Sequence, residues 1–299
     1  MKNTPDWSVV VFAYNVADTI ESCLTSIIEN TIAINASIYV LANGCTDTTE
    51  LRVNEYIRSH NNVYLIKLGI GDKANAWNTF VHEVAPEATT CFFVDGDVVV
   101  GEKALITLSK TLDRNSEANA VGALPGNGRD CKGWSQRMVN FGYFAGGLYA
   151  LRGSFLDQLR QQKIMLPVGL IGEDFVLSYI VKGVSTRPGI FTASRKLIIE
   201  QDACFYFRSL SVMKPSDWWV YFRRLIRYQI RRHQISMLLA RTSQTGFQGM
   251  PKSINDLYLD AEKLPDYYWR GRITPFDMIA VWLIRREVQA ARTKRDQTT

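Results

Sequence analysis

The chain has 299 residues, 46% of them hydrophobic and 21% charged, which is enough for a large core and excludes a disordered chain. Its net charge of +6 is uneven: residues 201–299 hold 17 Lys and Arg against 9 Asp and Glu, whereas residues 1–200 hold 18 against 20. Five cysteines (Cys23, Cys45, Cys91, Cys131, Cys204) stand far apart with no CxxC and no Cys/His cluster, which argues for reduced thiols in a cytoplasmic setting and against a zinc site.

The start, MKNTPDWSVVVFAYN, is polar before a short apolar run, unlike a secretory signal. SVVVFAY (8–14) predicts a strand, and ADTIESCLTSIIEN (17–30) predicts a helix with Ile20, Leu24, Ile27 and Ile28 on one face. ASIYVLAN (36–43) is a second strand, and residues 45–60 a helix with Asp47 near its start. NVYLIKL (62–68) is a third strand, and residues 72–86 a helix closed by Pro86. TCFFVDGD (90–97) is a fourth strand. Alternating strands and helices with short connections predict an α/β fold, a mostly parallel central sheet flanked by helices. Strands covered on both faces read as continuous apolar runs, as these do.

Ligands of such sheets bind beyond the carboxyl ends of the strands. Each strand here ends in polar or small residues: AYN, ANG, LGIGD, DGD. No GxGxxG follows the first strand and no GxxxxGK[ST] occurs, so phosphates must be held in another way. Asp95 and Asp97 interrupt an apolar run, and period-two alternation places both on one side of the strand. Two such carboxylates repel unless a cation sits with them, and Mg²⁺ or Mn²⁺ takes one or two carboxylates plus substrate phosphate oxygens. The residues alone leave a second reading open, an Asp-Gly turn in a hairpin with DVVV running back antiparallel.

Six stretches occur in order: SVVVFAYNVADTIESCLTSI, VLANGCTDTT, GDKANAWN, FFVDGDVVV, FAGGLYALRGSFLDQL and GEDFVLS. Together they resemble glycosyltransferase family 2, inverting nucleotide-sugar enzymes of the GT-A fold, over roughly residues 7 to 235. The resemblance implies a catalytic domain over 1–210, with a nucleotide-sugar half (1–100) and an acceptor half (101–210), and a basic C-terminal helical extension over 211–299. It implies that Ala13, Tyr14 and Asn15 receive the nucleotide base, with Phe12 where relatives often have proline. The second strand end usually carries acids. This chain has Ala42 and Asn43, and an Asn offers a base edge both a donor and an acceptor. Lys73 matches the basic residue that reaches the nucleotide. Asp95 and Asp97 match the Mn²⁺ or Mg²⁺ motif, the second acid being the direct ligand. Gly146 and Gly147 match the pair beneath the donor sugar, where backbone must come close. In GEDF, Asp174 matches the general base, with Glu173 orienting substrate or a neighbour. A helix-cap pair is the alternative for these two acids.

Residues 214–241 predict a long aromatic helix with Arg223, Arg227 and Arg231 on one face. Within it Gln229, Arg232 and His233 resemble the QxxRW motif of processive relatives, near donor diphosphate, with His233 in place of Trp. Residues 273–295 place Phe276, Ile279, Trp282 and Leu283 beside a cationic end. Such a segment can lie on an anionic membrane surface or pack on the core with a solvated basic tail. No window of ~18 apolar residues lacks charge, so no transmembrane helix is expected.

The expected activity is metal-dependent inverting transfer of a hexosyl or N-acetylhexosaminyl group from a nucleotide diphosphate sugar, a UDP-sugar first, to a hydroxyl. The acceptor would be a glycan, a lipid-linked or a small molecule, in glycan, polysaccharide or glycoconjugate synthesis, with no nucleic-acid partner and a place in the cytoplasm or at the inner face of the membrane. A nucleotidyltransferase would need a Gly-rich loop with Arg and Lys after the first strand, and AYNVADT has none. A non-catalytic nucleotide-sugar binder of the same fold would not need the acids of GEDF.

Overall fold

The computed structural model describes residues 5–84, 86–184, 194–209 and 215–296. Among these, two compact units separate: residues 5–164, 173–184 and 194–209 form one, and residues 165–172 and 215–296 the other.

The first unit opens with β1 (Trp7–Ala13), α1 (Ile20–Thr31), β2 (Ala36–Asn43), α2 (Thr49–Ile57) and β3 (Val63–Leu68). It continues through α3 (Lys73–Asn78), a π-helical turn (Thr79–Val84), β4 (Thr90–Asp95), β5 (Val98–Val100) and α4 (Ala104–Arg114). It closes with β6 (Ala120–Pro125), α5 (Cys131–Phe141), β7 (Leu148–Arg152), α6 (Gly153–Gln161), α7 (Glu173–Lys182) and β8 (Leu197–Phe207). Eight strands of the described residues make one sheet in the order β3-β2-β1-β4-β7-β6-β8-β5. The β3-β2-β1-β4 half is parallel, with Val9 opposite Ile38 and Phe92. β7 runs antiparallel to both β4 and β6, β8 is parallel to β6, and β5 is antiparallel to β8.

β1 is buried along its whole length because both faces of the sheet are covered. On one face Val9 and Val11 join Ile20, Leu24 and Ile27 of α1 in the main core. On the other, Phe93 stacks on Trp77 and Tyr149 and meets Phe80 edge-on. The helix expected over 72–86 is therefore real but changes character: α3 gives way to the π-helical turn, which ends at Val84. Asp72 caps α3 by accepting from the Asn75 amide. Asp47 accepts the Thr49 and Ala17 amides and so ties the start of α2 to the loop after β1.

The strand expected over 90–97 stops at Asp95, and Gly96-Asp97 is a turn. Alternation therefore does not extend to Asp97. The hairpin alternative also fails, because β5 pairs with β8 and β4 lies between β1 and β7. The turn is drawn onto the end of β1: the Gly96 amide donates to the Phe12 carbonyl, and a Cβ on Gly96 would stand 3.0 Å from that oxygen. Buried Asn30 of α1 donates to the Gly101 carbonyl and accepts the Leu105 amide, while Ser26 accepts the Val100 amide. α1 thus fixes the backbone that follows the Asp97 turn, and Cys23 Sγ of the same helix donates to the Asp95 carbonyl before it.

The second unit contains α8 (Pro215–Thr245), α9 (Ile254–Leu259) and α10 (Thr274–Asp296), the first and last packed together. Ser253 and Asp256 form a capping box at α9. The loop 165–172 is tied to α8 and α9: the Ile171 amide donates to Gln234 Oε1, and Gln234 Nε2 donates to the Tyr258 hydroxyl. α10 buries Asp277, Ala280, Val281, Ile284 and Val288 and exposes Met278, Trp282, Arg285 and Arg286. No helix of the described residues is long and apolar enough to cross a membrane.

Candidate active site

The strand ends of the first unit assemble a charged cluster from distant stretches. Lys73, at the start of α3, places Nζ 2.5 Å from Asp95 Oδ1 at the end of β4 and 2.9 Å from Glu173 Oε1 at the start of α7. The ammonium also lies 5.4 Å from the centre of the Phe12 ring. Burial would lower the Lys73 pKa, but Asp95 and Glu173 outweigh it and hold Lys73 well above its usual range. Burial, joined by the Asp97 charge, pushes the Asp95 carboxyl up to about 7 against the pull of Lys73. Of the two opposed shifts, the one that governs the cluster is the fixed positive charge on Lys73, since two carboxylates share it.

Gly146 closes the cluster. Its amide donates to Asp174 Oδ2 at 3.0 Å, and a Cβ there would stand 2.8 Å from Lys73 Nζ and 3.5 Å from Asp95 Oδ2. Asp174 Oδ1 accepts the Phe175 amide, and the Ser178 hydroxyl donates to the Asp174 carbonyl. The Phe144 amide donates to Ser178 Oγ, so the stretch before β7 is held along the first turns of α7. Gly147 serves packing: a Cβ would collide with the Phe205 ring. The structure thus brings Lys73, Asp95, Gly146, Glu173 and Asp174 together.

Asp97 rides the exposed turn two residues beyond Asp95, and no hydrogen bond or ion pair of the described residues engages its carboxylate. No group of three or more His, Cys, Asp or Glu among the described residues could by itself enclose a metal. A free carboxylate beside a second one nevertheless suits a hard cation that keeps waters and takes phosphate oxygens. The donor set therefore fits Mn²⁺ or Mg²⁺ shared with a diphosphate, and not a closed protein-only site.

The expected base pocket is ordered around β1 and β2. Ala13 is buried opposite Ala42, and Tyr14 is exposed. Asn15 has a positive φ of 51°, and its Oδ1 accepts the Thr46 and Asp47 amides. Asn43 is buried, and its Oδ1 accepts the Asp72 amide, so it braces the N-terminus of α3 as well as facing the strand end.

In the second unit Asp277 of α10 is buried and gathers the motif residues of α8. Its Oδ1 accepts from Arg232 Nη2 at 2.6 Å and His233 Nε2 at 2.8 Å, and Oδ2 pairs with Arg270 at 3.4 Å. Burial lowers the His233 pKa below its usual value, with Arg232 and Arg270 adding to that and Asp277 opposing it. Gln229 is buried, and its Oε1 finds no hydrogen-bond partner.

Two residues outside the predicted set belong to the cluster. Phe12 faces Lys73 at the position where relatives often carry proline. Tyr149 stacks between Phe93 and Phe144, and its buried hydroxyl has no hydrogen-bond partner. Burial, with Glu173, Asp174 and Asp95 nearby, holds that phenol well above its usual pKa. In sequence it reads as one more apolar strand residue of LYALR. A further cavity, lined by Asp6, Glu87, Cys91, Asp157 and Arg160 among others, includes none of the predicted site residues.

The profile of Glycosyl transferase family 2 matches residues 8–169. No curated protein matches the chain in sequence. Among solved structures, the mannosyltransferase PcManGT from Pyrobaculum calidifontis, in complex with GDP-Man and Mn²⁺, superposes with a TM-score of 0.57 at 17% identity, covering 98% of this chain and 74% of that one. S. aureus TarS 1-349 with UDP-GlcNAc gives 0.53 at 16% identity, covering 95% and 81%. GalNAc-T7 with UDP, GalNAc and Mn²⁺ gives 0.52 at 14% identity, covering 82% and 53%. At such identities the superpositions speak for the fold, and the sequence profile speaks for the family. The chain belongs to glycosyl transferase family 2 and has the GT-A fold of a glycosyltransferase.

Proposed function

We propose that this protein is a metal-dependent inverting glycosyltransferase that moves a sugar from a nucleotide diphosphate sugar, UDP-linked in the first instance, to an acceptor hydroxyl. The observation that carries the proposal is the cluster of Lys73, Asp95, Glu173, Asp174 and the Gly146 amide at the strand ends. Asp97, with Asp95, would hold Mn²⁺ or Mg²⁺, which when bound offsets the charge of the donor diphosphate.

The protein's own groups then have separate tasks. Gly146 lacks a side chain where a Cβ would crowd Lys73, which leaves room for the donor sugar. Asp174 takes the proton from the acceptor hydroxyl as that oxygen attacks the anomeric carbon. The bond from that carbon to the diphosphate oxygen breaks, the electron pair leaves with the nucleoside diphosphate, and the configuration inverts. Lys73 offsets the negative charge that grows on the leaving group. Glu173 keeps Lys73 in place. Ala13, Tyr14, Asn15 and Asn43 receive the base. Gln229, Arg232 and His233 serve the donor as their motif implies, and Arg232→Gln tests that assignment separately. The transferred group would be a hexosyl or N-acetylhexosaminyl unit, and the acceptor a glycan, a lipid-linked or a small molecule.

The test is calorimetric binding of UDP and GDP, with and without Mn²⁺, to the wild type and to Asp97→Ala. Metal-dependent UDP binding that disappears in the variant is expected. A preference for GDP would keep the mechanism and change the donor. Binding that ignores both metal and substitution would return DGD to a plain turn.

A further inference from the structure

The first half of α8 is an unusual surface. Trp218 and Trp219 are 61% and 65% exposed, and Val220, Phe222 and Tyr228 are exposed with them. At about 100° per residue, Leu225, Trp218, Phe222, Ile226 and Trp219 fall on one arc, and Arg223, Arg227 and Arg224 fill the next. Tyr221 and Tyr228 flank the apolar arc on its other side. No ion pair among the described residues engages Arg223, Arg224 or Arg227, so their charge is free for an outside anion.

One ring contact joins this surface to α10, and exposed aromatic residues with arginine neighbours also occur on α10 and just before it. Trp219 stacks on Phe222, and Phe222 meets Phe276 of α10 edge-on at 5.5 Å. Further along α10, Trp282 is exposed with Arg286 over its ring. Before α10, Tyr267 carries Arg285 over its ring, and Trp269 is 85% exposed. Exposed Trp and Tyr interleaved with arginine are costly in water and favourable at a lipid headgroup boundary, where the rings enter the acyl edge and the guanidinium groups meet phosphate.

We infer that this aromatic and arginine-rich face, centred on the first half of α8, docks the protein on an anionic phospholipid bilayer. The expected membrane segment of the sequence was α10 with its basic end. The structure moves the centre to α8, because α10 turns its Ala280, Val281, Ile284 and Val288 face inward. Trp218 and Trp219 supply insertion, Leu225 and Ile226 being half-buried and Phe222 lying against Phe276, and the arginine arc selects anionic headgroups. Residues 201–299 also hold the whole basic excess of the chain, with 17 Lys and Arg against 9 Asp and Glu. Docking of this kind lies on the membrane and needs no spanning helix, in keeping with the absence of one among the described residues. It does not depend on the glycosyltransferase chemistry proposed above.

The experiment is flotation of the full chain with vesicles of phosphatidylcholine alone and of phosphatidylcholine with about one-third phosphatidylglycerol, followed by quenching of tryptophan emission by brominated lipid. Flotation with the anionic vesicles, weakened by salt and accompanied by quenching, is expected. Arg223→Gln/Arg227→Gln should lower the partition coefficient roughly 30-fold at low ionic strength, from about 1 kcal/mol per basic residue at such a surface. Trp218→Ser/Trp219→Ser should lower both the quenching and the partition coefficient, the remaining quenching coming from Trp269 and Trp282, while circular dichroism stays unchanged, because both rings are mostly in solvent. Failure of the wild type to float with anionic vesicles would overturn the inference. So would equal binding to neutral vesicles by wild type and arginine variant. A dimer that the tryptophan variant converts to monomer, or a tryptophan shift caused by soluble glycan with none from vesicles, would assign the face to a second copy or to a carbohydrate instead.

Discussion

Lys73 is the residue on which the candidate site turns. One ammonium holds Asp95 and Glu173, and its removal leaves the partly buried Asp95 and the buried Glu173 carboxylates without a cation. Lys73→Met should therefore lower stability by about 2–3 kcal/mol, measured by urea denaturation, and abolish transfer. The two adjacent glycines are expected to separate in their effects. Gly146→Ala pushes chiefly on the Lys73 ammonium, which Asp95 and Glu173 hold in place, so turnover should fall sharply and melting temperature should fall less than for Gly147→Ala. Gly147→Ala drives a methyl into the buried Phe205 ring and should cost about 1–3 kcal/mol of stability. Asp174→Asn should lower kcat by 10²–10⁴-fold while calorimetry shows nucleotide binding retained. The motif spacing made Asp95, Asp97, Glu173 and Asp174 legible in the sequence. The roles of Phe12 and Tyr149 were not, because an aromatic residue in an apolar strand looks the same whether it faces a core or an ammonium.

At the level of elements, the link between α1 and the Asp97 turn is made by side chains that sequence patterns treat as noise. Asn30 and Ser26 are polar residues on the buried face of an amphipathic helix, and together they hold the Val100, Gly101 and Leu105 backbone. Asn30→Ala should cost about 1–3 kcal/mol, since it strands buried backbone groups, and should weaken metal-dependent nucleotide binding measured by calorimetry. Between α8 and α10, buried Asp277 binds Arg232 and His233. The His233 pKa is lowered by burial from its usual 6.5, so above pH 6.5 the unfolded chain carries no extra proton and the contribution of this site is complete. As pH falls below that value the unfolded state takes up the proton first, and stability is lost. Asp95, with its raised pKa, acts in the opposite sense over the same range, so the test is a difference: the margin in melting temperature of the wild type over His233→Gln should shrink between pH 7 and pH 5. The helices expected over 17–30, 45–60, 214–241 and 273–295 end within a few residues of α1, α2, α8 and α10, whereas α4, α5, α6 and α9 were not read from the sequence. Nor was the π-helical turn after α3, since its apolar spacing is that of an ordinary helix.

For the molecule as a whole, binding and folding are linked by mass action. UDP with Mn²⁺ at about 100 times its dissociation constant should stabilise the native state by about 2.7 kcal/mol, seen as a rise in melting temperature. EDTA or Asp97→Ala should remove that rise and leave the ligand-free melting temperature unchanged, because Asp97 sits on an exposed turn. By itself the sequence determined the alternating strands and helices of the first hundred residues, the family, and the acids of the candidate site. Those features are local: continuous apolar runs, helical spacing and short motifs are written in neighbouring residues. The tertiary structure alone decided that β5 pairs with β8 across more than a hundred residues and that Lys73 joins Asp95 to Glu173. It alone decided that Asp277 gathers Arg232 and His233, and that the tryptophans of α8 stand in solvent. Each of these is a long-range pairing or an exposure. Neither is encoded by the spacing of neighbours, because both depend on which distant surface the folded chain brings, or fails to bring, against a given side chain.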